Sequence, residues 1–194
     1  MKPDAPGWLS GVRHVISPNC DQRPPGAAID LLVIHAISLP PGEFGGSAIA
    51  RLFTNTLDTQ EHSYYSQLQG LRVSAHFLVR RDGEIVQFVA CRKRAWHAGI
   101  SSWHGRQRCN DFSIGIELEG DDSRPFAAAQ YAALARLTRR LCRAYPISGI
   151  AGHADIAPDR KTDPGPHFDW QQYFLLLGGR FPGRRGGNAS KLSR

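Results

Sequence analysis

The stretch LLVIHAI, residues Leu31–Ile37, is an uninterrupted apolar run whose only polar side chain is His35. A half-buried strand alternates apolar and polar residues, whereas a strand covered on both faces is apolar throughout. The run therefore predicts an interior strand of a sheet that carries other elements on both faces. A buried imidazole is costly unless it has a bonding partner, so His35 needs one.

Two further segments have the pattern of strands. The segment SAHFLVRRDGEIVQFVA (Ser74–Ala90) contains two strand-like runs around Asp82-Gly83, and both turn residues tolerate the positive φ of a tight hairpin. In DFSIGIELEG, apolar residues alternate with Ser113, Gly115, Glu117 and Glu119. This alternation predicts a strand with one packed face and one open face that carries the carboxylates.

Three segments have the spacing of helices: Ser47–Asn55, Pro125–Tyr145 and Phe168–Leu177. The longest follows the candidate cap Asp122/Ser123 and has Pro125 in its first turn. Because strands and helices are interspersed and the hairpin makes one pair antiparallel, we predict an α/β fold. It is a single domain over residues 1–178, with a mixed central β-sheet flanked by helices.

The positive charge is unevenly distributed. The chain of 194 residues has a formal net charge of +7, and five positive residues with no acids lie in the last fifteen, which leaves +2 for the rest. The Gly/Arg-rich segment 179–194 is expected to be a disordered tail. One face of the long helix carries Arg136, Arg139, Arg140 and Arg143. We favour a solvated face over phosphate contacts there, and expect no specific nucleic-acid partner.

The sequence also indicates in which cellular compartment the protein is expected. Prolines and an aspartate occupy the N-terminal region where a signal peptide would be apolar, and no apolar run approaches the roughly 20 residues that span a bilayer. The four cysteines are scattered without metal-type spacing. These features predict a cytoplasmic protein with reduced thiols and no membrane contact, and no obligate protein partner is evident.

The segment GHADIAPDRKTDPG is dense in ionisable residues, and its two prolines exclude a continuous helix or a central strand. With His35 it supplies a candidate metal-binding set of His35, His153 and Asp163. Catalytic zinc commonly takes three such ligands and keeps a fourth position for water. The spacing alone is only suggestive, because a single buried histidine is more often a hydrogen-bonded core residue than a ligand.

Five blocks of the sequence carry a resemblance to a known family. They are VIHAISLPPGEFGG, LRVSAHFLVRRDGEIVQF, RAWHAGIS, RCNDFSIGIELEG and GHADIAPDRKTDPGP. In order and spacing the chain resembles the cytosolic 1,6-anhydro-N-acetylmuramyl-L-alanine amidases of the AmpD type, from about Gly7 to Trp170. The wider superfamily includes phage lysozyme-like amidases and peptidoglycan recognition proteins, which share the fold but not most of these blocks.

The resemblance implies a zinc enzyme, with one Zn²⁺ per chain. Its substrate would be anhydromuramyl-peptide, cleaved between the lactyl group of 1,6-anhydro-N-acetylmuramic acid and L-alanine of the stem peptide. The reaction belongs to cytosolic peptidoglycan recycling and indirectly affects β-lactamase induction. On the family pattern the metal ligands are His35, His153 and Asp163, the catalytic residues are Glu117 and Lys161, and the substrate-binding residues are Arg72 and Arg108.

The residue types suit that chemistry. Zinc can bring the pKa of bound water to about 7, which amide hydrolysis at neutral pH requires. Glu117 and Lys161 are both candidates for the proton transfer, and Lys161 could stabilise the oxyanion. Glu119, on the same strand face as Glu117, is interpreted as a structural or rim carboxylate. Two alternatives are a broader N-acetylmuramoyl-L-alanine amidase that acts on intact peptidoglycan and a non-catalytic peptidoglycan-binding module.

Overall fold

A computed structural model describes residues 7–179 of the chain. Ten strands form one six-stranded sheet and two small two-stranded sheets. The strands are β1 (Arg13–His14), β2 (Cys20–Gln22), β3 (Leu31–Ile37), β4 (Phe77–Val79), β5 (Ile85–Gln87), β6 (Lys93–Ala95), β7 (Ser102–Trp103), β8 (Arg106–Gln107), β9 (Ser113–Glu119) and β10 (Gly149–Gly152). The helices are α1 (Ala48–Phe53), α2 (Ala128–Ala144), α3 (His153–Ile156) and α4 (Trp170–Leu176), with 3₁₀ turns at Ser63–Leu68 and Cys109–Asp111.

The main sheet has the strand order β1-β5-β4-β9-β3-β10 and is mixed, as predicted. β3 lies in its interior, parallel to β9 on one side and to β10 on the other. β4 and β5 form the predicted antiparallel hairpin, with Val79 opposite Ile85. The apolar run therefore forms the covered interior strand that its composition indicates.

Helices cover the main sheet on both faces. On one side, Leu134 and Leu137 of α2 pack with Leu32 and Ile34 of β3 in the largest core cluster. On the other side, α1 packs against the hairpin in a second cluster that includes Ile49, Leu52, Leu78, Val86 and Phe88. The alternate residues of β3, Leu31 and Val33, belong to a third cluster. The single mixed α/β domain predicted from the sequence is confirmed.

The predicted start of the long helix was wrong. Asp121 begins a local turn in which its carboxylate accepts from the Ser123 backbone N–H at 2.9 Å, and α2 begins only at Ala128. The extended stretch before α2 inserts Phe126 into the core, where it packs beside Gly120. Gln130 then accepts from the Ala127 N–H at 3.0 Å, which satisfies one of the unpaired donors at the helix start. Burial of Phe126 outweighs the sequence signals of a cap.

The other predicted features have mixed outcomes. The four cysteines are free thiols, and no helix within residues 7–179 is long and apolar enough to cross a membrane. The arginine stripe of α2 lies on the outside of the helix, with Arg136, Arg139 and Arg143 exposed. The predicted tail, apart from residue 179, lies outside the described residues.

Candidate active site

Three potential metal-binding atoms meet at one end of the sheet. His35 Nδ1 lies 3.0 Å from His153 Nδ1, and each of these atoms lies 3.1 Å from Asp163 Oδ2. Within residues 7–179, this is the group of histidine, cysteine and carboxylate side chains whose atoms are close enough to hold a metal ion. The structure therefore brings together all three residues of the predicted set.

The parallel strands explain how residues distant in sequence meet. Gly152, the last residue of β10, pairs with Ile34 of β3. The residues that follow this pair, His153 and His35, therefore lie side by side. Asp163 is placed by the loop that follows α3, and its backbone carbonyl accepts from the Ala154 N–H at 2.9 Å. Parallel strands thus align the two imidazoles, and the loop folds back to deliver the carboxylate.

The hydrogen bond on the far side of His153 indicates which ring nitrogen faces the cluster with a lone pair. His153 Nε2 lies 3.2 Å from the carbonyl oxygen of Ala98, which can only accept. In a neutral imidazole this bond places the ring hydrogen on Nε2 and leaves a lone pair on Nδ1. Burial lowers the pKa of His35 to about 4, which favours its neutral imidazole. The donor set of two imidazoles and one carboxylate fits a divalent cation.

Glu117 lies beside this cluster. Its register partner across the β9–β3 pair is His35, so the two side chains are on the same face of the sheet. The prediction of an open carboxylate face was wrong, because every residue of Ser113–Glu119 is buried. Burial, reinforced by the charge of Asp163 and opposed by Lys161, raises the pKa of Glu117 well above its usual value. Its Oε2 has no hydrogen-bond partner within residues 7–179.

A cavity of about 240 Å³ connects the cluster to an apolar wall. Its polar end contains His35, Glu117, His153, Lys161 and Asp163, so the five predicted metal-binding and catalytic residues share one cavity. The apolar wall includes Leu39, Leu52, Phe53, Tyr64, Leu68, Leu71, Val73 and Trp96. An apolar cavity with a few convergent polar groups and a perturbed carboxyl is typical of an enzyme site.

The two predicted substrate-binding arginines are placed differently. Arg72 is exposed and lies between the cavity-lining residues Leu71 and Val73. Arg108 is exposed and its Nε lies 3.2 Å from an Asp111 carboxylate oxygen. Neither side chain is among the described residues that line the cavity. Both arginines are therefore outside the cavity and could meet only a substrate that extends beyond it.

A comparison with family models identifies this arrangement. Residues 25–166 match the model described as N-acetylmuramoyl-L-alanine amidase. The chain belongs to the N-acetylmuramoyl-L-alanine amidase family. It is therefore an amidase, and the alternative of a non-catalytic binding module is not supported.

Individual relatives agree with this family assignment. The amidase is 58% identical over 173 residues to 1,6-anhydro-N-acetylmuramyl-L-alanine amidase AmpD of Escherichia coli, an alignment that covers 88% of this chain and 94% of that protein. It is 49% identical over 170 residues to AmpD of Haemophilus influenzae, an alignment that covers 86% of this chain and 92% of that protein. A crystal structure of AmpD superposes with a TM-score of 0.87 at 56% identity, over 90% of this chain and 99% of that chain.

Sequence reasoning missed a second layer of polar residues in this amidase. His97 lines the cavity beside the cluster, and its Nδ1 lies 2.9 Å from Nε2 of His35. The ring of His97 occupies the space where a Cβ at position 115 would stand, so β9 needs glycine there. A glycine inside a strand often marks such a close approach, and Gly115 was the available signal.

Glu119 has a structural role in the amidase. Its carboxylate accepts from the backbone N–H of Gly45 at 2.8 Å and of Arg81 at 3.2 Å, and lies 3.6 Å from an Arg80 guanidinium nitrogen. We expect Glu119→Ala to lower the free energy of unfolding by about 1–3 kcal/mol, because two backbone N–H groups and Arg80 lose the carboxylate that they contact. Chemical denaturation would measure this. An unfolding midpoint equal to that of wild type would contradict the structural role.

Proposed function

We propose that this amidase uses one Zn²⁺ to hydrolyse the amide bond between the lactyl group of 1,6-anhydro-N-acetylmuramic acid and L-alanine of the stem peptide. We place the reaction in cytoplasmic peptidoglycan recycling, with an indirect effect on β-lactamase induction. The observation that carries the proposal is the convergence of His35 Nδ1, His153 Nδ1 and Asp163 Oδ2 beside a buried carboxyl. The recycling assignment follows the similarity to AmpD proteins.

The donor set supports zinc in particular. Imidazole nitrogen and carboxylate oxygen are common zinc ligands, and three protein ligands with an open fourth position are typical of catalytic sites. The described atoms supply three ligands, and the cavity gives access to the cluster from one side. When bound, zinc would lower the pKa of a water molecule to about 7 and act as a Lewis acid.

Glu117 is the candidate general base and acid of the chain. In its carboxylate form, which a raised pKa makes a stronger base, Glu117 can accept the proton of the attacking water, and the resulting carboxylic acid can deliver that proton to the nitrogen of the departing L-alanine. Lys161 lies in the same cavity and carries a positive charge that suits the oxyanion of the tetrahedral intermediate. A donor in that position typically contributes about 3 kcal/mol to transition-state stabilisation.

The substrate assignment comes from relatives. A solved structure of the E. coli amidase AmiD in complex with the substrate anhydro-N-acetylmuramic acid-L-Ala-D-gamma-Glu-L-Lys is 35% identical to this chain, with a TM-score of 0.57. The superposition covers 80% of this chain and 60% of that chain. The apolar wall next to the cluster offers a surface for a sugar ring, and the stem peptide would extend out of the cavity. Arg72 and Arg108 are proposed to pair with the carboxylates of that peptide.

The proposal is tested by comparing two substrates. Purified enzyme loaded with zinc is incubated with anhydromuramyl-tripeptide and, separately, with polymeric sacculi, and the products are identified by mass spectrometry. We expect release of free peptide with an L-alanine amino terminus from the anhydromuramyl substrate, and at least about tenfold lower kcat/KM on sacculi, equivalent to 1.4 kcal/mol. Equal turnover of both substrates would favour the broader amidase, and no release of peptide from either would contradict the proposal.

A further inference from the structure

His97 is half-buried and lies among polar groups that form one continuous series of hydrogen bonds. Its Nδ1 lies 2.9 Å from His35 Nε2, and its Nε2 lies 3.2 Å from Ser113 Oγ. Ser113 Oγ in turn donates to the carbonyl oxygen of Cys109 at 2.6 Å. The series of hydrogen bonds therefore runs from the Cys109 carbonyl through the side chains of Ser113 and His97 to the ring of His35.

The donor and the acceptor of every hydrogen bond in this series follow from the last acceptor, the carbonyl oxygen of Cys109. The carbonyl of Cys109 can only accept, so the hydroxyl hydrogen of Ser113 is committed to it. Ser113 Oγ must then accept from His97 Nε2–H. A neutral His97 has no second ring hydrogen, so its Nδ1 accepts from His35 Nε2–H. This bond commits the ring hydrogen of His35 to Nε2 and leaves the lone pair of Nδ1 facing His153 and Asp163.

The next residue orients the other imidazole. The carbonyl of Ala98 accepts from His153 Nε2 at 3.2 Å, and also from Arg160 Nη2 at 2.9 Å. The backbone N–H groups of His97 and Ala98 both donate to Asn110 Oδ1, at 3.2 and 2.8 Å. The dipeptide His97-Ala98 is thus fixed from two sides and contacts Nε2 of both candidate ligands.

We propose that His97 is a positioning residue for the metal site, which accepts the Nε2 hydrogen of His35 and so presents the Nδ1 lone pair of His35 to the cation. The inference rests on the proposed zinc site. Partners of this kind fix the tautomer and orientation of a ligating histidine, and their loss typically weakens metal affinity about 10- to 100-fold. A residue that only fills space behind His35 would leave that affinity unchanged.

Two variants of similar size separate these roles. In His97→Asn, the side-chain amide oxygen can occupy the position of Nδ1 and accept the same hydrogen bond. In His97→Leu, the volume is similar but the acceptor is lost. The control is His76→Leu, since the His76 ring is buried with its centroid 5.8 Å from that of the His97 ring, and His76 is not among the described residues that line the cavity.

The dissociation constant of zinc is measured by competition with a chromogenic chelator, and folding is followed by thermal unfolding of the metal-free proteins. We expect His97→Leu to raise the dissociation constant about 10- to 100-fold, and His97→Asn to stay within about threefold of wild type. His76→Leu should lower thermal stability without changing zinc affinity. Wild-type affinity in His97→Leu, or equal losses in the Asn and Leu variants, would overturn the inference.

A second variant keeps the test decisive if His97→Leu does not fold. Ser113→Ala removes the acceptor of the His97 Nε2 hydrogen and allows the opposite tautomer, which cannot accept from His35. We expect a rise in the zinc dissociation constant of about tenfold, at the lower end of the range for such partners, and an unchanged value would overturn the inference. If wild type itself bound no zinc, the proposed metal site would fail, which is a separate outcome.

Discussion

Asp163→Ala is expected to reduce kcat/KM on anhydromuramyl-tripeptide by at least about 1,000-fold, because loss of a Lewis acid removes several kcal/mol of transition-state stabilisation. Asp163 Oδ2 lies 3.1 Å from both imidazole nitrogens and is the only carboxylate of the described three-residue cluster. Without it, only the two imidazoles remain as ligands, and the zinc content after dialysis should fall to a small fraction of one ion per chain. Metal analysis and turnover are measured on the same preparation.

The matched control is Asp159→Ala, which removes an exposed carboxylate from the same loop. We expect it to keep its zinc and its turnover. Thermal unfolding of Asp163→Ala in the presence of chelator checks that the metal-free variant is folded, so that a loss of turnover reports on the metal site. Near-wild-type turnover by Asp163→Ala would exclude this residue as a ligand.

Glu117→Gln is expected to lower kcat by about 100- to 10,000-fold, the usual contribution of a general acid–base residue. The amide keeps the size of the side chain but cannot accept and return a proton. Zinc content should stay at one ion per chain, because Glu117 is not among the three cluster residues. Stability should be unchanged or higher, because the substitution removes a buried carboxyl with an unpaired oxygen.

Glu119→Gln is the matched control for the carboxylate on the same strand face. Its partners are backbone N–H groups and Arg80 rather than the cavity, so the substitution should cost stability and leave kcat of the folded fraction within about threefold of wild type. Steady-state kinetics and unfolding curves on both variants separate the two roles. If Glu119→Gln lost as much kcat as Glu117→Gln, the division between catalytic and structural carboxylates would be wrong.

Local sequence patterns predict most of the fold because they report local physics. The run Leu31–Ile37 is apolar on both faces and is covered on both faces, and the chain turns at Asp82-Gly83 as predicted, with Gly83 at a positive φ of 87°. Errors arise where a tertiary contact competes with a local signal. Phe126 enters the core and delays the start of α2, although Asp122/Ser123 and Pro125 have the sequence of a helix cap.

The sequence predicts only part of the candidate site, because tertiary contacts decide the rest. Residue type and family resemblance predict the candidate ligand set and Glu117, and the structure places these residues in one cavity. The burial of Glu117 was missed, because alternation along a strand reports only which side chains share a face, and not what covers that face. His97 was missed because its role depends on Gly115 and Ser113 of another strand, which no local pattern links to it.

The most direct test of the account is anomalous diffraction at the zinc edge from crystals of metal-loaded protein. The account predicts one anomalous peak per chain, bound by Nδ1 of His35, Nδ1 of His153 and a carboxylate oxygen of Asp163, with a solvent molecule at the fourth position beside Glu117. Zinc–nitrogen distances should be about 2.0–2.1 Å. A peak elsewhere, or a fourth protein ligand that closes the site, would contradict the account.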